Sequence, residues 1–257
     1  MPESDLTLAF PDLQAEVGDY LGFGRTPSAF NDAQNERVNK NIKAGLRMFY
    51  FNSQGHPWSF MKPVGSLETV KDQWAYELPP EYSGLTGKVS FSSTSTSYVP
   101  LVTTGFVQIR RMRSHNPSVK GIPRYCGDEA LPIQTGGQRW QLLLHPTPDK
   151  AYTLLYPYQV NPKALTNTKP YPWGGLPHAE TIKAACLAAA ERDDEEGANG
   201  LHQQNFLTLL AASIKYDTQL HRADVIGYNG DGDSVWAQPV RTRLRPDYTV
   251  TLNGVAY

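Results

Sequence analysis

The spacing of apolar side chains changes twice along this chain, and the change limits the folds available to it. Near the start, helical spacing predicts helices over residues 11–21 and from Phe30 to about Asn52. The same spacing returns late in the chain, where it predicts a helix over residues 179–192 and another over 201–223. None of these amphipathic helices can bury its apolar stripe alone, so each needs a partner.

The middle of the chain has the two-residue period of β-strands instead. Trp74, Tyr76 and Leu78 fall on alternate positions, which predicts one shared face of a strand that Pro79 ends. Further strand-like runs, separated by turns rich in Pro, Gly and Ser, follow at Gly87–Phe91, Gly105–Arg113, Arg139–His145 and Ala151–Val160. We therefore expect mainly antiparallel β structure here.

These patterns predict an α+β fold with a discontinuous helical part. The simplest way to bury all four stripes is an antiparallel helical bundle formed by residues 1–55 and 176–228, with residues 56–175 inserted as an antiparallel β-rich domain. Residues 229–257 alternate apolar and polar side chains, as a C-terminal hairpin or extended arm does. An arm without its own core needs a neighbour, and strand addition to an adjacent subunit would supply one.

Composition excludes several classes of protein. The 24 Lys and Arg nearly balance 25 Asp and Glu, so the chain lacks the global charge of a nucleic-acid-binding domain, although a local patch is compatible with it. The N-terminus is acidic and leads into no long apolar stretch, so we expect neither a secretory signal nor a membrane anchor. Cys126, in an expected loop, and Cys186, in an expected helix, have no CxxC spacing and are interpreted as two buried or idle thiols rather than a disulfide.

No motif in the sequence predicts catalysis, a metal or a cofactor. Residues Asn229–Ser234 resemble the first half of a calcium-binding loop, but position twelve of such a loop would be Val240 rather than an acid. A polar turn explains them better. The six histidines form no zinc-binding or nucleophile-activating pattern, and neither glycine-rich stretch has the spacing that holds phosphates. We expect no cofactor and no enzymatic activity.

Four consecutive acids form the first charged candidate surface. Asp193, Asp194, Glu195 and Glu196 stand at the end of a predicted helix, where neighbouring carboxylates repel one another and are normally solvated. We expect an exposed acidic block.

Alternating arginines form the second charged candidate surface. Arg241, Arg243 and Arg245 would share one face of a strand. That face is expected to contact a protein partner, with ordinary solvation and contact with a DNA backbone as the alternatives.

The order of several short motifs resembles the head-to-tail adaptor proteins of tailed bacteriophages, including the tail tubular protein A group of short-tailed phages. The motifs are Tyr20-Leu21-Gly22 at the end of a helix, His56-Pro57-Trp58-Ser59-Phe60, Trp74 to Tyr82, Arg139 to Pro148, Tyr152 to Tyr158, the Ala-rich helix over 179–192 and Ile226-Gly227-Tyr228-Asn229. The resemblance extends over most of residues 8–230.

This resemblance implies a structural role in the virion at the head–tail junction. It implies a homo-oligomeric ring, a dodecamer, that docks on the portal protein, receives the tail tube or nozzle protein and lets double-stranded DNA pass. Assembly would take place in the host cytoplasm, without a membrane. In such a ring, the acidic block of residues 193–196 would be exposed, as a hypothesis toward the lumen, where it would repel passing DNA.

Two features depart from the family pattern. The Ser/Thr tract over residues 92–97 and the stretch Gly121–Gly137 look like insertions in the β region, and the tail after Val235 looks specific to this lineage.

A ligand- or carbohydrate-binding β protein with helical flanks is the main alternative. In that protein, Trp58, Trp74, Trp140 and Trp173 would line an exposed binding face. Burial of these side chains would favour the adaptor, and exposure on one surface would favour the alternative.

Overall fold

The computed structural model describes residues 4, 6–52, 54–92, 98–134, 137–194 and 200–220, and the backbone of 251–252 and 255–256. The helices in this part of the chain are α1 (Phe10–Tyr20), α2 (Asp32–Tyr50), α3 (Phe106–His115), α4 (Ala179–Asp194) and α5 (Leu201–Leu220). The strands are β1 (Val64–Glu68), β2 (Ala75–Glu77), β3 (Tyr82–Leu85), β4 (Ser90–Phe91), β5 (Val102–Thr103), β6 (Tyr125–Gln134), β7 (Gly137–His145), β8 (Thr153–Val160), β9 (Thr251–Leu252) and β10 (Val255–Ala256). The predicted α+β class is confirmed.

Local side-chain chemistry fixes the ends of the first two helices. The Asp12 carboxylate accepts a hydrogen bond from the Ala9 N–H at 2.9 Å, which satisfies a backbone donor at the start of α1. At the start of α2, Asn31 and Gln34 form a reciprocal capping box, each side chain accepting from the backbone N–H of the other at 2.9 Å. Gly22, with a φ of 75°, provides the left-handed residue that follows α1.

Helices from both ends of the chain share one hydrophobic cluster. Leu13 and Val17 of α1, Ile42 of α2, Ile182 of α4 and Phe206 of α5 are all buried in it. We define these four helices and their shared core as the helical cluster. Its description as an antiparallel bundle remains a prediction, as do the boundaries at residues 55, 176 and 228.

A glycine allows α2 and α4 to approach closely. A Cβ atom placed on Gly45 of α2 would lie 2.5 Å from the Cα of Cys186 and 2.6 Å from its backbone nitrogen. No side chain fits at that distance, because backbone atoms cannot move aside as a flexible side chain can. Around the contact, α4 presents small side chains, including buried Ala184, Ala185 and Ala188.

The predicted β-rich middle, residues 56–175, contains two sheets around a second hydrophobic cluster, while Trp58 and Met61 near its start belong to the first cluster. One sheet has the order β1-β8-β3, with β4 also paired to β8, and the other has the order β2-β7-β6-β5. Alternate residues of β8, such as Leu154 and Tyr156, face the same cluster as Leu142 and Leu144 of β7. The strands predicted over 139–145 and 151–160 are confirmed, while Gly87–Phe91 contributes only the two residues of β4.

The predicted strand Gly105–Arg113 is wrong, because this segment forms α3. Arg and Met are good helix formers, and Asn116 followed by Pro117 ends the segment. Only Ile109 of α3 is fully buried, and its terminal methyl group reaches Gly127 of β6. The helix thus covers the face of the second sheet that lies opposite the cluster.

One further expectation about the middle needs correction. Cys126 lies in β6 rather than in a loop. Strand β5 pairs with β6 in parallel, whereas all other named strand pairs in the described residues are antiparallel. The stretch Gly121–Gly137 is mostly occupied by β6, so it belongs to the sheet.

At the C-terminus, β9 and β10 pair as a short antiparallel ladder. The rest of the predicted arm, including residues 229–250, lies outside the described residues. In the described part of the chain, no helix has both the length and the apolar character that a membrane crossing requires.

Candidate functional site

The end of α4 that carries the acidic block lies against α2. Asp193 accepts from Arg37 Nε at 2.7 Å and from Lys40 Nζ at 2.8 Å, and Asn41 Nδ2 lies 3.4 Å from the same carboxylate. Asp194 accepts from Arg37 Nη2 at 3.0 Å. We call this group the α2–α4 clasp, because two cations on one helix hold two carboxylates on the other.

The clasp changes the electrostatics of Asp193. Hydrogen bonds from Lys40 and then Arg37 outweigh burial and lower the pKa of Asp193 from 3.8 to about 2. Its side chain is only 17% exposed, against 50% for Asp194. Asp193 therefore differs from the exposed, repelling carboxylate that the sequence predicted. Glu195 and Glu196 lie outside the described residues.

Glu191, two residues before the block, is a structural residue that the sequence analysis missed. Its buried carboxylate accepts from the backbone N–H groups of His202 at 3.1 Å and Gln203 at 2.9 Å. These are among the first donors of α5, which an N-cap side chain normally satisfies. Gly200 precedes the helix and has no side chain, so α4 supplies the acceptor; that missing cap is the signal available in the sequence.

A second charged surface lies where α3 packs on the second sheet. Arg110 forms two hydrogen bonds with the Glu129 carboxylate, at 2.8 and 2.7 Å. Arg113 stacks 4.0 Å from the ring centroid of Trp74 and donates to Thr147 Oγ1 at 2.6 Å. Burial lowers the pKa of the Arg113 guanidinium.

A buried carboxylate joins the segment after α2 to α5. Asp217 lies 2.8 Å from His56 Nε2, and it accepts hydrogen bonds from the Ser59 hydroxyl and, at 3.2 Å, from the Ser59 N–H. Burial alone would raise the pKa of Asp217, but these hydrogen bonds outweigh it and lower that pKa. In a catalytic triad the histidine stands between the serine and the acid. Here the acid stands between the other two, so its hydrogen bonds connect the two segments of the chain.

The four tryptophans of the alternative protein do not form one exposed face. Trp58 is 1% exposed, sits in the helical cluster and donates its indole N–H to the Phe49 carbonyl at 3.1 Å. Trp140 packs against the β cluster, and Trp74 is stacked under Arg113. Trp173 is 40% exposed. Tyr76 and Leu78 are buried as the alternation predicts.

Both cysteines are buried free thiols, as expected from their spacing. Burial raises the pKa of Cys186 to about 12 and that of Cys126 to about 11, so neither thiol ionises readily. Among the residues that the structure describes, no three His, Cys, Asp or Glu side chains are grouped to hold a metal ion. Arg241, Arg243, Arg245 and the loop Asn229–Ser234 lie outside the described residues.

The sequence matches the family model of the SU10 adaptor protein over residues 9–243. This match includes the helical cluster and the whole β-rich middle. No curated protein matches the sequence.

Proposed function

Since the chain belongs to the SU10 adaptor protein family, we propose that it forms the head-to-tail adaptor ring of a tailed bacteriophage. The family supports a phage adaptor with a structural role in the virion. Beyond that, the proposal is a ring of the tail tubular protein A type, a dodecamer, which docks on the portal protein, receives the tail tube or nozzle protein and forms part of the DNA channel.

The extent of the family match carries this proposal. Residues 9–243 include the five helices of the described residues and the strands β1 to β8. A match of this length concerns the whole architecture rather than one motif, and it agrees with the order of motifs that the sequence presents.

The distribution of buried and charged side chains supports different roles for the two parts of the subunit. The helical cluster is tied together by buried apolar residues, by the α2–α4 clasp and by the Glu191 cap. We propose it as the rigid body of the ring. The β-rich middle and the C-terminal residues, including Arg241, Arg243 and Arg245, are proposed to contact neighbouring subunits and the tail.

The proposed role needs no catalytic group, cofactor or metal. A conducting ring requires stable side-to-side contacts and a lumen that does not hold DNA tightly. Since Asp193 and Asp194 are neutralised within the clasp, repulsion of DNA from this end of α4 rests on Glu195 and Glu196. The proposed location is the head–tail junction, reached by assembly in the host cytoplasm without a membrane.

Reconstitution with the portal tests the proposal. The purified chain is mixed with the portal protein of the same phage, and the complex is weighed by native mass spectrometry. We expect twelve copies of the chain on each portal ring. A second sample with the triple variant Arg241→Glu, Arg243→Glu, Arg245→Glu tests whether those arginines face a partner. Recovery of only free chain with the unaltered protein, at every salt concentration, contradicts docking.

A further inference from the structure

The β-rich middle carries a positive charge that the chain as a whole lacks. Residues 56–175 contain 12 Lys and Arg against seven Asp and Glu, a net charge of +5, whereas the complete chain has −1. The excess is concentrated in residues 82–127, which contain six Lys and Arg and no Asp or Glu. Because local charge sets the field near a surface, this segment attracts anions despite the neutral composition.

Part of this positive charge lies around a cleft where β6 begins and β7 ends. Lys120, Arg124, Tyr125 and His145 line it, together with apolar and glycine residues, and its volume is about 330 Å³. None of the lining residues is acidic. A cleft of this size accommodates a small anion with several hydrogen bonds.

Backbone hydrogen bonds hold the two sides of the cleft in place. Arg124 N donates to the His145 carbonyl at 3.0 Å, and the Arg124 carbonyl accepts from Val102 N at 2.8 Å. Gly121 N donates to the Thr147 carbonyl at 2.9 Å, and Thr147 N donates to the Val119 carbonyl at 3.1 Å. The cationic side chains therefore extend from a fixed frame, which reduces the cost of ordering a bound group.

The cations of the cleft are only partly neutralised by the protein. Arg124 is exposed and has no ion pair in the described part of the chain. Lys120 pairs with Asp72 at 2.7 Å, and both side chains are about half exposed. Next to the cleft, Arg113 contacts Trp74 and Thr147 rather than a carboxylate. Burial, and then the charge of Arg113, lowers the pKa of His145, so its ring is neutral near pH 7.

We propose that this cleft binds a phosphate group. Guanidinium and ammonium donors on a fixed backbone suit a compact tetrahedral anion with several acceptor oxygens. The phosphate has two possible sources, a phosphodiester of duplex DNA or free inorganic phosphate. The DNA source rests on the proposed function, because an adaptor ring surrounds the passing genome; the phosphate site itself does not. A single contact per subunit to the DNA backbone is independent of base sequence and is weakened by salt.

Binding to a fluorescent 30-base-pair duplex, measured by anisotropy with the full chain, tests the DNA source. Because one phosphate per subunit is neutralised, affinity should fall about threefold between 50 and 200 mM NaCl. Arg124→Glu and Lys120→Glu should each weaken binding at 50 mM salt by about tenfold, and Arg124→Glu should reduce the salt slope by about one. Arg47→Glu makes the same charge change on an exposed residue of α2 and should change affinity less than twofold.

Titration with inorganic phosphate, followed by NMR of the arginine side chains, provides the second arm. The signal that is missing from the spectrum of Arg124→Gln is assigned to Arg124. A shift of this signal at constant ionic strength supports the phosphate site. Binding of phosphate without binding of DNA assigns the site to the free anion. An acidic protein surface is the rival occupant, because it would contact the same exposed cation, Arg124. Loss of tail-protein binding in Arg124→Glu, with neither phosphate nor DNA bound by the unaltered chain, overturns the proposal.

The same variants separate this inference from the proposed function. Arg124→Glu should still assemble on the portal, because Arg124 is exposed and makes no ion pair in the described part of the chain. If the unaltered chain fails to assemble but binds phosphate at the cleft, the ring is wrong and the site remains. If Arg124→Glu and Lys120→Glu both bind DNA and phosphate as the unaltered chain does, the site is contradicted, whatever the result with the portal.

Discussion

The helical cluster and the β-rich middle use their charged side chains in opposite ways. In the helical cluster, acids near the end of α4 form hydrogen bonds within the fold: Glu191 caps α5, and Asp193 binds Arg37 and Lys40. In the β-rich middle, cations outnumber acids, and side chains such as Arg124 remain exposed.

This difference indicates which surfaces are available to partners. A charge that is already hydrogen-bonded within the fold has little left to offer a second molecule, and removing it mainly destabilises the protein. An unpaired surface charge contributes little to folding but a great deal to encounter and recognition. Substitutions in the helical cluster should therefore change stability, and those of exposed cations in the middle should change binding.

The largest effect is expected where α2 and α4 touch. Gly45→Ala places a methyl group against the backbone of α4, so the free energy of unfolding should fall by about 2 to 3 kcal/mol, despite the better helix propensity of alanine. Urea denaturation measures the change. Gly84→Ala in β3 is the matched control, because its Cβ has open space, and it should change stability by less than about 0.5 kcal/mol. Equal effects would remove the contrast between the two regions.

Removing the α5 cap should have the next largest effect. Glu191→Ala leaves the N–H groups of His202 and Gln203 without their acceptor and should cost about 2 kcal/mol in chemical denaturation. Glu191→Gln keeps the volume and one acceptor oxygen, so it should cost about half as much. If alanine and glutamine behave alike and cost nothing, water replaces the carboxylate and the cap is unimportant.

The α2–α4 clasp predicts a dependence of stability on pH. The pKa of Asp193 is lower in the folded protein, so its stabilisation is complete above about pH 4 and is lost as the pH falls through about 2. Asp193→Asn should be less stable than the unaltered protein by about 1 kcal/mol at pH 7. The loss is no larger because solvent around the exposed Lys40 screens its attraction to Asp193. The difference in stability should vanish near pH 2. Thermal unfolding of both proteins from pH 7 to pH 2 measures it. A constant difference over that range would show that the charge is irrelevant.

The smallest effect is expected for an exposed cation of the middle. Arg111 on α3 is exposed and has no ion pair in the described residues, so Arg111→Ala should change the unfolding free energy by less than about 0.5 kcal/mol. Differential scanning calorimetry measures it. Arg113→Ala, which removes the stacking on Trp74, should cost about 1 kcal/mol. A larger loss for Arg111 than for Arg113 would contradict the assignment of free and engaged cations.

Periodicity predicted the parts of the fold in which one face is buried. The helices α1, α2, α4 and α5 and the strands β7 and β8 each bury an apolar face, and burial imposes the 3.6- or two-residue repeat that is visible in the sequence. Helix α3 was missed because it buries only Ile109 completely, so its sequence has no stripe to detect. Short alternation of apolar and polar residues then favoured a strand.

The sequence by itself determined the α+β class, the buried thiols and, through the order of its motifs, the adaptor family. These follow from local repeats and from short runs of neighbouring residues, which need no partner to be recognised. Tertiary structure alone decided that Glu191 caps α5, that Asp193 is neutralised by Arg37, 156 positions away, and that Lys120 and Arg124 meet His145 at one cleft. A carboxylate has the same letter whether it is solvated or paired, because its electrostatic role depends on which distant residue the fold places beside it.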